Sequence, residues 1–167
     1  MNLVTLQSVS LWLHLISVLL WIGGIAFFLL VFGPAVRGMP AGSGAVLLDH
    51  GRRSLQILTW FAVNLLLATG VLNLILRSAA SGFQLGRGYT AILAIKLVLF
   101  VAMFFHYLLQ TFRYGPKIAA LTAQAAPEIE SWPEPLLVQW RKWFVLLKIN
   151  LTLGSIILLL GLGLARS

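Results

Sequence analysis

Four long apolar runs constrain this chain more than anything else in it. They cover about Leu6 to Phe32, Leu55 to Leu76, Tyr89 to Phe112 and Trp143 to Ala165. Each is long enough to cross a bilayer, which takes roughly 20 helical residues. Inside lipid only a helix satisfies its own backbone hydrogen bonds, so each run is expected to be a helix. The expected fold is therefore all-α: one transmembrane four-helix domain over residues 1–167, with helices at about 6–32, 55–76, 89–112 and 143–165. Gly33-Pro34 and Gly115-Pro116 are expected to close the first and third helices, because a proline removes a backbone donor. No soluble domain and no convincing internal repeat is visible. The first run has no basic segment before it and outlasts a signal-peptide core, so it is read as retained.

Composition agrees. Of 167 residues, 60% are hydrophobic and 10% charged, whereas a soluble domain is nearer one quarter charged. The formal charge of +8 does not point to nucleic acid, because the basic residues sit between apolar runs rather than on a polar domain. There they fix membrane orientation. The first and third loops carry Arg37, Arg52, Arg53, Arg113, Lys117, Arg141 and Lys142, against Arg77, Arg87 and Arg166 on the other side. That bias predicts cytoplasmic first and third loops, with both termini on the outer, periplasmic side of a bacterial inner membrane. Reporter fusions at Gly44 and Gly86 test this: cytoplasmic and external readings are expected, and the reverse would show that the charge bias fails here. The third loop's "PKIAALTAQAA" reads as an interfacial helix or a linker. Trp132, Trp140 and Trp143 read as an aromatic belt. With no cysteine, disulfides and thiolate sites are excluded.

Ionisable groups at membrane depth are costly and tend to face the bundle interior. His14 and Lys96 each lie roughly 7–8 Å to the outer side of their helix midpoints, from a rise of about 1.5 Å per residue. His106 and Lys148 lie at a similar distance to the inner side. Two levels are thus expected, His14 with Lys96 and His106 with Lys148. A separation of roughly 16 Å between the two histidines argues against their sharing one iron. Trp21 and Gly24 lie on the His14 side of the first helix and are expected to border a flat macrocycle there. The bland reading of His14 is a hydrogen bond across to another helix, with Gly23-Gly24 serving close helix approach. His50, beside Asp49, reads as solvated unless the second helix extends back to about Ala45. It would then reach the inner mouth and become a candidate metal ligand alongside His14 and His106. Asn64, Asn73 and Asn150 are expected to bond between helices.

These stretches carry a resemblance. "LHLISVLLWIGGIAFFLLVFGP", with a histidine and then Trp-x-Gly-Gly, resembles the opening helix of the copper resistance protein D family. "IKLVLFVAMFFHYL", a lysine followed ten residues on by histidine, is similar to that family's third conserved helix. "RRSLQILTWFAVNLLLATGVLNLIL" and "LKINLTLGSIILLLG" resemble its second and fourth. The pattern also resembles the small four-helix, haem-b-associated protoporphyrinogen oxidases, whose histidine and lysine would fall on His14 and Lys96. Those enzymes usually continue with a Tyr-x-x-x-Arg segment ending in Tyr-His; here the stretch is "FFLLVFGPAV".

Histidines buried in a four-helix bundle, an architecture that readily hosts cofactors, point together with the resemblance to a haem-b-binding membrane protein that transfers electrons or serves as a small subunit beside other membrane redox subunits. His14, Lys96 and His106 would be its cofactor residues, bordered by Trp21 and Gly24. Three alternatives stay open: protoporphyrinogen oxidation, copper transport, and a cofactor-free structural subunit. Copper(I) prefers thiolate and thioether ligands, and of Met1, Met39 and Met103 only Met103 stands at membrane depth. Catalytic residues are unassigned.

Overall fold

The structure is a computed structural model that describes residues 2–82, 86–125 and 129–164, with side chains to 161. It is all-helical. Four long helices run α1, Leu3–Arg37; α2, Ala41–Ala80; α3, Arg87–Gln124; and α4, Glu134–Leu164. All four are long and apolar enough to cross a membrane. α1 packs along α2, and α3 along α4. α1 also touches α4, which joins the two pairs into a bundle. One end carries the start of α1, the end of α2, the start of α3 and the end of α4. The other carries the α1–α2 and α3–α4 loops and most of the basic residues, and is called the basic end below.

The helices outlast the apolar runs. With 40 residues, α2 is about 60 Å long, roughly twice the hydrocarbon thickness of a bilayer. Hydropathy marks the part of a helix that lipid can cover, not where the helix stops. The expected breaks at the two Gly-Pro pairs do not occur. Instead each helix widens into a π-helical turn, at Phe28–Phe32 and Leu109–Tyr114. The Gly33 N–H reaches back to the Phe28 carbonyl, and the Gly115 N–H to that of Gln110. A proline ring ordinarily clashes with the carbonyl four residues before it. Shifting the bonding to five residues back opens the turn and lets the helix continue. α1 and α3 thus share a device, a π turn followed by Gly-Pro, that the sequence did not suggest as a repeat.

The "PKIAALTAQAA" stretch is neither a separate interfacial helix nor a linker. It continues α3 to Gln124 and folds into a small core at the basic end, where Val36, Ala45, Leu48, Ile118 and Leu136 are buried together. Trp140 and Trp143 are core residues as well, not an interfacial belt. Trp143 meets Phe28 edge-on at 5.2 Å and Trp140 at 5.4 Å between ring centroids. Trp132 is half-buried against Gly44. The π turn explains the aromatic core, since it swings Phe28 inward while Phe32 lies over Gly51. A Cβ at Gly51 would collide with that ring.

Candidate functional site: two histidines anchored across the bundle

His14 projects from α1 onto α2. Its Nδ1 lies 3.0 Å from Thr69 Oγ1. The Thr69 hydroxyl has one proton, and it donates that proton within α2 to the Leu65 carbonyl at 2.7 Å. Thr69 must therefore accept from His14. This assigns the neutral tautomer with the proton on Nδ1 and leaves the Nε2 lone pair free. Gly70 makes the fit possible, because a Cβ there would stand 3.3 Å from His14 Cε1. Ser10, one turn before His14, is buried and reaches the Thr69 carbonyl at 3.5 Å. Lys96 of α3 is close enough for its charge to act on the His14 ring. Its Nζ lies 3.5 Å from where a Cβ on Gly161 of α4 would stand. His14 is thus set against α2, and Lys96 against α4.

His106 is anchored in the same way on the other pair. Its Nδ1 lies 3.3 Å from Asn150 Oδ1, and Asn150 Nδ2 donates to the Met103 carbonyl at 3.3 Å. That second bond fixes which end of the amide is oxygen, so His106 donates from Nδ1 and keeps Nε2 free. Asn150 is fully buried. Lys148, expected to share the His106 level, is exposed on α4; Asn150 takes that place. Neither His14 nor His106 donates to the other, and each has its own partner on a neighbouring helix.

The remaining candidates separate from these two. Gly24 brings α1 against α2, a Cβ there lying 3.1 Å from Leu55 and Leu58. Trp21 points into the bundle centre, edge-on to Phe100 at 5.9 Å between centroids. Neither borders His14, because seven to ten residues along α1 carry them roughly 10–15 Å further toward the basic end. α2 does extend back past Ala45, yet His50 remains exposed. It stands on the rim of an apolar groove of about 390 Å³ between α1 and α2, with Gly24, Phe27 and Ser54. Met103 is buried, its methyl 3.2 Å from the Cβ position of Gly154 on α4. Among the described residues no three His, Cys, Asp or Glu side chains gather as a metal-binding group. Asn64 bonds only within its own helix, to the Trp60 carbonyl at 2.8 Å. Asn73 Oδ1 is buried without a partner among the described residues.

Sequence reasoning missed Thr69, the residue that orients His14. The signal was a hydroxyl and a glycine side by side in "LLLATGVL", at a depth where lipid gives a hydroxyl no partner. It also missed the burial of Asp49 and Arg52. Asp49 accepts from Arg52 Nε at 2.8 Å and from Arg53 Nε at 2.9 Å. The Asp49 and Arg52 side chains are almost fully buried, whereas that of Arg53 is 58% exposed.

A histidine held through Nδ1, with Nε2 unprotonated, is the form in which imidazole binds a metal. His14 and Lys96 fit a haem in their donor chemistry: a neutral nitrogen for iron and an ammonium for a propionate. No family model, curated protein or solved structure matches the chain.

Proposed function

We propose that this is a haem-b-binding protein of the bacterial inner membrane, of the copper resistance D-like pattern, acting in electron transfer or as a small subunit of a membrane redox complex. The observation that carries the reading is the 3.0 Å contact of His14 Nδ1 with Thr69 Oγ1, from which the tautomer is assigned. Thr69 holds the ring by Nδ1, raises the basicity of Nε2 and limits rotation of the ring. Lys96 offers a positive charge at the same level and makes no ion pair among the described residues. It suits the pairing of a haem propionate. Bound haem would supply reversible one-electron chemistry at its iron. The chain would supply the fixed nitrogen of His14 and the neutralising charge of Lys96. His106, anchored as His14 is, serves a second haem or metal if the protein carries one.

The test is the visible spectrum of the protein purified in detergent from haem-replete cells. A Soret band with roughly one haem per chain at the His14 level is the expected result. A colourless, correctly folded protein would remove the proposal and leave the histidines as interhelical hydrogen bonds.

A further inference from the structure

α2 turns Leu55, Thr59, Ala62 and Thr69 into the bundle, where all four are buried. Its opposite face carries Ile57, Phe61, Asn64, Ala68, Val71 and Ile75, all exposed. The apolar members of that face need no partner in a membrane, because lipid covers them as well as protein would. Asn64 is different. The apolar run of α2 spans residues 55–76, which puts Asn64 within roughly 2–3 Å of its midpoint.

At that depth no water completes the bonding of a carboxamide. One Asn64 amide proton goes to the Trp60 carbonyl of its own helix at 2.8 Å. A second amide proton and two lone pairs on Oδ1 are left over. The helix cannot serve Oδ1, since its own N–H groups are already bonded to carbonyls four residues back. The exposed hydroxyls of α4 show the contrast. Thr152 and Ser155 each spend their single proton on the carbonyl four residues back.

Spacing says what kind of surface Asn64 belongs to. The six exposed residues follow one another in alternating steps of four and three. That repeat keeps one stripe of a helix against a parallel neighbour in left-handed packing. Ala68, one turn from Asn64, lets two backbones come close. Arg53, one turn beyond Ile57, lies outside the apolar run and is paired with Asp49, so the stripe ends before its charge.

A membrane holds every copy of the chain in one orientation. A two-fold axis along the membrane normal then sets α2 of one copy parallel to α2 of another, with Asn64 facing Asn64 at equal depth. A carboxamide is its own complement: each Oδ1 accepts from the other copy's Nδ2. A foreign helix would need a polar group of its own at this depth. One asparagine in an apolar stripe of this repeat also fixes register and the number of strands. We infer that the protein is a two-fold dimer joined through α2, with the two Asn64 side chains hydrogen-bonded to each other at the membrane midplane. The dimer stands apart from the His14 level and does not depend on the haem reading.

The chain has no cysteine, so single introduced cysteines report proximity without background. In membranes under mild oxidation, Ala68→Cys should give a disulfide-linked dimer. Val98→Cys, on an exposed face of α3, should not. Energy transfer between labelled copies diluted in micelles gives the dissociation constant. Asn64→Leu should weaken the dimer roughly three- to thirtyfold, the range for one interhelical hydrogen bond in a membrane, and leave helix content unchanged. Ala68→Phe should weaken it too, by holding the helices apart. A wild type that is monomeric at every dilution, unchanged affinity in Asn64→Leu, or equal cross-linking from Val98→Cys would each overturn the inference. A disulfide from Ala68→Cys to a different membrane protein in place of the dimer would overturn it as well and assign the face to a foreign subunit.

Discussion

Asp49→Ala is expected to destabilise the protein by roughly 3–5 kcal/mol, the cost of removing one partner from a buried ion pair. Arg52 is buried, and it would keep only the long contact to Gln56. Its guanidinium cannot shed its proton to escape the cost. Its terminal nitrogen already takes up the space beside α3 that a side chain at Gly115 would need, 2.7 Å from the Cβ position there. Arg52→Ala is expected to cost less, because Asp49 then keeps Arg53, whose exposed side chain can follow it. The asymmetry is the informative part. Unfolding in mixed micelles of increasing sodium dodecyl sulfate fraction gives both free energies. Equal losses from the two variants would show that the ions are solvated rather than buried.

The same cluster shows where the sequence was legible. The four spans were readable because lipid imposes a length and an apolar composition on every crossing helix. Trp21 and Gly24 lie on the His14 side by spacing, yet they serve the bundle centre and the α1–α2 contact because they stand one level lower. The helix ends were hidden for another reason. Pro34 and Pro116 normally stop a helix, and only the widened turns before them let α1 and α3 continue. Once those helices run on, the loops shorten and a basic-end core forms. Trp140 and Trp143 then have something to pack against. Asp49 looked like a loop residue beside solvated arginines until α2 was seen to begin at Ala41. A carboxylate inside a helix with arginines three and four residues on faces both of them, and that spacing was the signal overlooked.

If the proposed haem sits at the His14 level, His14→Ala is expected to abolish its Soret absorption, because it removes the only imidazole at that level. Thr69→Val separates ligation from packing. Valine fills nearly the volume of threonine but cannot accept from Nδ1. The imidazole then has no reason to favour the Nδ1–H tautomer, and Nε2 ceases to be reliably free. Loss of such an orienting partner typically lowers metal affinity about 10- to 100-fold. The expected order is therefore wild type, then Thr69→Val with weakened haem retention, then His14→Ala with none. Lys96→Ala should keep the haem but shift its midpoint potential, since the propionate loses its positive partner. Haem content per chain after identical purification, read with circular dichroism to verify helix content, resolves the series. A His14→Ala protein with normal haem stoichiometry would refute ligation by His14. A Thr69→Val protein that holds haem as tightly as wild type would refute the assignment of the tautomer as what prepares the site.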